Sequence, residues 1–592
     1  MKGDPAADVD GRRGRPGWLA PSFGGYHRSW LTGDLLAGLT VWAVLVPESL
    51  AYATIAGVSP VVGLYAAVPS LLLYPLLGSS RHLVVATMSG TAALSASVVA
   101  GVAQQGDAEF ASTTAALALV MGALCALAGV LRLGFIASFI SEPVLKGFII
   151  GLALTIIIGQ VPALLGVEKP AGSFFEKLWG ILGELGEIDW LTTAVGVLSL
   201  AVILVLKRYL PLVPASLVVV LAGIAAVAVL GLDDEGLDIV GPIDAGLPSL
   251  VFPAVGLDHY LALVGPAVGV MLIGFAEGLG AAKTYAAKEG YDVDPNAELL
   301  GMGAANVGSG MFGGMVVNGS LSKTAVNGGA GARSQLSGLA VAALTVLTLL
   351  FLTGLFEDLP EAVLAAVVIA AVVELVDIAS LRRLYRVWTG PLGRIYRHAT
   401  RVDFIAALAA LLGVLVFDTL PGLFIGIGVS VLTLLYRSSR PHVARLVRRP
   451  DSDALWIDHD RAPDLAPATD VVVLRVESGL FFANSDHVRD SVLAAITADT
   501  VAVVLDAETI PSIDVTGAGM LIALRSRLSE RGIQLLVAKS IGQVRDVVAT
   551  AEPGADVPGR YDTVDAAVAA ARSRATQQAE PPGQVADREE DR

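Results

Sequence analysis

Between Leu31 and Leu435 the chain returns to one kind of segment: an apolar run close to the about 20 residues that cross the hydrocarbon core of a bilayer. Fourteen such runs can be marked, at 31–56, 61–77, 89–104, 112–131, 143–165, 190–207, 213–231, 260–282, 295–310, 321–331, 334–354, 360–378, 402–417 and 420–437. In a bilayer every backbone polar group needs an internal partner, so a chain of this kind must form a bundle of helices. Composition closes off the soluble alternative. Only 16% of the 592 residues are charged, against about 25% in soluble domains, and 54% are hydrophobic. No water-facing surface can be assembled from that chain.

The loops assign a direction. With the N-terminus taken as cytoplasmic, Arg28, Arg81, Arg132, Lys207, Arg208, Lys283, Lys288, Arg333, Arg382 and Arg383 fall on the same side. The opposite loops read QQGDAEF, LDDEGLDIVGPIDAG, LFEDLPE and FDTLPG; the 166–189 loop alone carries lysines there, Lys169 and Lys177, amid four glutamates. Positive residues mark the inside, and an even number of crossings puts both termini there. The expected location is the cell membrane, multi-pass. Residues 1–29 are polar and lack the pattern of a signal peptide.

After Arg437 the texture changes. Residues 438–459 read as a basic linker, 460–574 as a soluble domain, and 575–592 as a charged, disordered tail. VVVLRVE, GLFFA, VAVVLDA and IQLLVAK predict strands, and HVRDSVLAAITA, GAGMLIALRSRLSERG and IGQVRDVVATA predict amphipathic helices. Strand and helix in alternation imply a small α/β domain. Cys125 is the single cysteine, the seven histidines are scattered, and the net charge is −15. No disulfide framework, metal site or cofactor motif follows, nor any nucleic-acid partner. With neither a nucleotide loop nor a catalytic triad, an enzyme is not expected.

Two of the runs are too short or too polar to span alone, and they resemble each other: LVVATMSGTAALSAS and MVVNGSLSKTAVNGG. Ser89-Gly90-Thr91-Ala92 answers Ser322-Lys323-Thr324-Ala325, each in the third run of a set of seven. Seven is odd, so the second set enters the membrane in the opposite sense. The plan is an inverted 7+7 repeat, about 30–231 and 260–437 within a transmembrane domain of 30–437. The Val-Val stretches then read as extended pieces, each leading into a half-helix that begins inside the membrane. Helix N-termini expose unpaired N–H groups with partial positive charge, so two of them form an anion site lined by Ser89, Gly90, Thr91, Ser322, Lys323 and Thr324. The other reading of the same small residues is close helix packing.

The segment VPESLAYATIAGVSPVVGLYAAVPSLLLYPLLGSSRHLVV (46–85) resembles the signature region of the SulP anion permeases, whose animal members include sulfate, chloride and bicarbonate carriers and the motor protein prestin. SEPVLKGFIIGLALTIIIGQVP and SKTAVNGGAGARSQLSGL match the same family, and the resemblance covers nearly the whole chain. It implies fourteen segments arranged as core and gate domains, a C-terminal STAS domain, and a homodimer. One departure stands out: Ala86-Thr87 occupies the place where the family often has Gly-Pro. VVLDAETIPSIDVTGAGML (503–521) resembles the strand–loop–helix of anti-sigma-factor antagonists. In soluble relatives a residue at the Thr516 position is a phosphosite; the alternative is that Thr516 caps its helix.

Ionisable residues inside membrane segments are functional candidates by default. Glu277 lies mid-segment in the eighth run, which in the family packs beside the anion site. It is read as the carrier of a coupled proton; the alternatives are a sodium ligand and a structural partner of a nearby lysine. Sodium prefers several oxygens, and Ala281, one turn on, offers none. Glu48, beside the helix-breaking Pro47, is the second coupling candidate. Tyr52 and Phe275 are candidate walls of the pocket, with core packing as the other reading. Glu142 and Lys146 are spaced to pair. The leading function is secondary transport of a small inorganic anion, sulfate by default. The others are sodium-coupled bicarbonate or dicarboxylate transport, an uncoupled anion channel, and a membrane-anchored STAS signalling scaffold.

Overall fold

The computed structural model describes residues 20–104, 108–139, 141–170, 172–210, 213–243, 246–387, 402–417, 419–450, 455–551 and 559–579. It divides into two compact units, one of Met1–Leu384 with Asp403–Ser430, the other of Tyr385–Val402 with Val431–Arg592.

The first unit is helical. Its first half holds α1 (Leu31–Ile55), α2 (Pro60–Leu77), β1 (Val84–Ala86), α3 (Ser89–Ala100), α4 (Ala108–Val130), α5 (Glu142–Leu165), α6 (Phe174–Gly183), α7 (Trp190–Tyr209) and α8 (Ala215–Leu230). The second half holds α9 (Leu257–Glu289), α10 (Pro295–Met311), β2 (Asn318–Ser320), α11 (Leu321–Gly329), α12 (Leu336–Phe351), α13 (Glu361–Val372), α14 (Ile378–Val387), α15 (Val402–Phe417) and α16 (Thr419–Ser439), of which α14 from Tyr385 and α16 from Val431 are counted with the second unit. Among the described residues eight helices are long and apolar enough to cross a membrane; α3, α8, α12 and α15 are apolar but shorter. Each of the fourteen runs has a helix. Two further helices, α6 and α14, lie between runs. α6 is a short amphipathic helix opened by a capping box of Ser173 and Glu176.

The inverted repeat is legible in the packing. α1 lies on α12 as α9 lies on α4; α2 meets α12 as α10 meets α4; α1 meets α11 as α9 meets α3. The pairs α2–α10, α5–α13 and β1–β2 match themselves, as elements on the symmetry axis must. Buried polar side chains knit the halves together. The Asp34 carboxylate accepts from the Arg333 and Ser334 amides at 2.6 and 3.1 Å. Gln335 Nε2 donates to the carbonyls of Ser80 and Leu83. Asn327 Nδ2 donates to the carbonyl of His82.

The second unit is an α/β domain. Its strands are β3 (Val443–Arg448), β4 (Trp456–Asp458), β5 (Val471–Val476), β6 (Ala502–Asp506), β7 (Gln534–Ala538) and β8 (Gly559–Tyr561). Its helices are α17 (Ser485–Ala494), α18 (Val515–Ser529), α19 (Gly542–Ala551) and α20 (Val564–Ala579). The sheet runs β4-β3-β5-β6-β7-β8, parallel from β5 to β8 and antiparallel at β3 and β4. The pleat sends alternate residues to opposite faces. Val472, Leu474 and Val476 pack with residues of α17, α18 and α19, whereas Val471 and Val473 pack with residues of α20.

Three expectations need correcting here. Residues 438–459 are more than a linker, because β3 and β4 fall within them. GLFFA forms no strand: Leu480 makes one bridge to Ile513, and Asn484 folds its side chain back onto the Phe481 amide and the Gly479 carbonyl, turning the chain into α17. The expected tail begins inside α20, which continues to Ala579; residues 580–592 lie outside the described residues, as do residues 1–19 of the N-terminal segment.

Candidate functional site

The centre of the first unit is a two-stranded ribbon. β1 and β2 run antiparallel with Val84 opposite Ser320, Val85 opposite Gly319 and Ala86 opposite Asn318. The two Val-Val pairs therefore do not meet; the second strand starts two residues later relative to its pair, at Asn-Gly-Ser. Both strands are fully buried. Each leads into a half-helix, α3 three residues beyond Ala86 and α11 directly after Ser320. Gly319 permits the approach of α9. A Cβ there would lie 2.9 Å from the Cα of Gly278, and one on Gly278 would lie 3.2 Å from Asn318 Oδ1.

The half-helix ends differ in their caps. Ser320 Oγ accepts from the Lys323 amide at 3.3 Å and lies 3.2 Å from Ser322 Oγ. Met88, at the N-cap of α3, supplies no side-chain acceptor. Its first amides, on Ser89, Gly90 and Thr91, therefore have no side-chain cap, the condition in which a helix end accepts an external anion.

Lys323 dominates the electrostatics. It is 1% exposed and carries the only buried ammonium or guanidinium group among the described residues. Its Nζ lies 2.7 Å from Glu48 Oε2, donates to the Thr87 carbonyl at 3.1 Å, and stands 4.8 Å from the centre of the Tyr52 ring. The ammonium thus ties the first turn of α11 to the β1–α3 link and to α1. Thr87 Oγ1 is in turn 2.8 Å from Ser49 Oγ.

The structure brings Glu48, Tyr52 and Lys323 together. Ser89, Gly90 and Thr91 are buried at the start of α3; Thr91 Oγ1 donates back to the Met88 carbonyl. Ser322 is exposed. Thr324 Oγ1 accepts from the Val84 amide at 3.1 Å, which makes it a tie between α11 and β1. Phe275 is 2% exposed within the apolar core. Glu277 is half-buried on α9, among the turns whose Gly274 and Gly278 abut Asn318, and has no hydrogen-bond or ion-pair partner among the described residues. Glu142 and Lys146 pair at 2.6 Å on the outside of α5.

Two asparagines escaped the sequence reading. Asn306 clamps the Val317 backbone, its Oδ1 accepting from the amide and its Nδ2 donating to the carbonyl. Asn318 is fully buried against α9, and neither end of its carboxamide has a partner among the described residues. The signal was present in MVVNGS, whose asparagine precedes the matched Ser-x-Thr-Ala. In the second unit Thr516 is exposed on the first turn of α18. Asp514 is the cap, accepting from the Gly517 amide at 2.7 Å, so capping does not fall to Thr516.

The family model for the sulfate permease family matches residues 31–391, and that for the STAS domain matches residues 462–567. The chain belongs to the sulfate permease family. A probable sulfate transporter of Mycobacterium tuberculosis is 36% identical over 536 residues, covering 90% of this chain and 93% of that protein. Among solved structures, the murine Solute Carrier 26 family member A9 anion transporter in its inward-facing state superposes with a TM-score of 0.83 at 22% identity, covering 97% of each chain. The transmembrane domain of the cyanobacterial bicarbonate transporter BicA gives 0.58 at 23% identity, over 69% of this chain and 98% of that one. These likenesses establish the fold of a multi-pass membrane protein of this family with a C-terminal STAS domain.

Proposed function

We propose that this protein is a secondary transporter of small inorganic anions, sulfate foremost, working by alternating access. The observation that carries the reading is the Lys323 ammonium, buried where the first turn of one half-helix meets the approach to the other. A bilayer-spanning protein keeps such a charge only for a purpose. An anion held there meets the ammonium, the uncapped amides of α3 and the hydroxyls of Ser89, Thr91 and Ser322. Backbone donors read charge and size, which suits a compact oxyanion. The name borne by the mycobacterial relative supports sulfate as the first substrate to try.

Transport is coupled to protons through Glu277. A half-buried carboxylate without a partner, in the stretch of α9 that abuts β2, is placed to change charge as the site moves. Sodium is the second reading, and Ala281 weighs against it because it adds no side-chain oxygen. The working protein is a homodimer in the cell membrane with both termini cytoplasmic. Residues 30–437 carry transport and 460–574 form the STAS domain, where the exposed Thr516 is the candidate phosphosite.

The test is uptake of labelled sulfate and labelled bicarbonate, in parallel, into proteoliposomes of purified protein. Sulfate uptake driven by inward protons, and insensitive to sodium, is the expected result. Bicarbonate uptake driven by sodium would overturn both the substrate and the coupling.

A further inference from the structure

Among the described residues of the first unit three carboxylates are buried: Asp34, Glu48 and Glu298. Two of them are saturated. Glu298 accepts from the Tyr74 hydroxyl, the Ser79 amide and hydroxyl, and the Ser80 amide, at 2.7 to 2.9 Å. Asp34 accepts from the Arg333 and Ser334 amides and the Ser334 hydroxyl. These are staples, with their lone pairs filled by fixed donors.

Glu48 is different. Its polar neighbours are the Lys323 ammonium at 2.7 Å and Tyr52 one turn on. Among the described residues its Oε2 has no hydrogen-bond donor beyond that ammonium contact. Its side chain is 9% exposed and that of Lys323 1%. A buried ion pair so poorly supported gives little net stability, because the desolvation of both charges offsets their attraction. Its location is the informative feature. The Glu48 carboxylate sits on the one buried ammonium of the proposed anion site, where a substrate oxygen would sit.

We propose that Glu48 is a tethered anion that competes with the substrate for Lys323 and is released by protonation. The proposal rests on the anion-site reading above and extends it. Two anions within contact distance of one ammonium repel strongly where water is scarce, so the substrate and the ionised carboxylate exclude each other. When a proton from the adjoining water adds to the Glu48 carboxylate, the ion pair is lost. The neutral acid can then remain near Tyr52 as a donor, and Lys323 is free to bind the incoming anion. Each binding event at the open side therefore takes up one proton at Glu48, and each release returns it.

The other charged groups around α1 do not supply this competition. α3, α8 and α12 carry no acidic or basic residue; α2 offers Tyr65 and Tyr74, and α11 only Lys323. Glu361, on α13, is exposed at the start of its helix. Glu374, just beyond α13 and felt at Tyr52, is paired with Lys207 at 3.0 Å. Arg28 lies before α1, Asp34 is stapled as described, and Glu277 is on α9.

The test is equilibrium binding of radiolabelled sulfate to the purified full-length protein, from mildly acidic to mildly alkaline pH. Wild-type affinity is expected to fall about tenfold per pH unit on the alkaline limb, the slope of one linked proton. Glu48→Gln is expected to bind with no slope. Glu48→Asp, which keeps the charge but withdraws it by one methylene, is expected to bind more tightly than wild type at alkaline pH, and it guards against a Gln variant that fails to fold. Ser322→Trp separates the two layers of the argument. If it abolishes binding while Glu48→Gln keeps the wild-type slope, the tethered-anion proposal falls alone. Binding untouched by Ser322→Trp overturns the site reading on which the proposal rests.

Discussion

At the scale of single residues the site is an arrangement of charges whose removal has signed consequences. Lys323→Met leaves the Glu48 carboxylate buried without its counter-charge, a change of about 3–5 kcal/mol for broken buried pairs. The thermal midpoint should fall and sulfate binding should vanish. Adding Glu48→Gln should restore most of the midpoint and none of the binding, which differential scanning fluorimetry and a binding assay on the same samples would separate. Gly278→Val places branched carbon where a Cβ already comes within 3.2 Å of Asn318 Oδ1. Overpacking of that kind costs about 1–3 kcal/mol, and uptake should fall with it because β2 carries the start of α11. The matched Ser-x-Thr-Ala stretches showed in the sequence where two half-helices would begin. They could not show that Lys323 meets Glu48, because no spacing rule links residues in opposite halves of a repeat. Thr324 illustrates the same limit: its hydroxyl looked like a ligand group and instead holds the Val84 amide.

Elements followed hydropathy closely where a helix is apolar on every side and drifted where it is not. α9 was expected over 260–282 and runs to Glu289, since Lys283, Lys288 and Glu289 continue the helix beyond its apolar stretch. α6 and α14 were missed because amphipathic helices in charged loops carry no hydropathy peak. β3 was hidden by arginines: in VARLVR the buried residues Ala444, Leu446 and Val447 lie among half-buried and exposed neighbours, and a basic linker reads the same way. In that α/β unit Asp506 is fully buried and accepts from Arg475 Nε and a terminal nitrogen at 2.9 and 2.6 Å. Arg475→Met should lower the stability of the STAS domain by about 3 kcal/mol. Urea unfolding followed by circular dichroism would register it as a lower midpoint with an unchanged slope.

For the whole molecule, the inverted repeat was legible because an odd number of segments forces the second half to enter upside down, and the paired packing of α1–α12 with α9–α4 bears that out. The proposed division of labour gives two predictions. Glu277→Gln should weaken the dependence of uptake on an imposed proton gradient, leaving only the proton that Glu48 takes up with each anion, while sparing anion exchange, measured by counterflow in proteoliposomes. A chain ending at Ser439 should lose expression or rate and keep its order of preference among anions; a changed order would contradict a supporting role for the C-terminal domain. The central claim is that the transported anion rests between the two half-helix N-termini on Lys323. Anomalous scattering from crystals soaked in selenate, a sulfate look-alike, tests it most directly. A peak within hydrogen-bonding reach of Lys323 Nζ and the first amides of α3 is the predicted result. A well-occupied peak elsewhere in the first unit, with this position empty, would contradict the account.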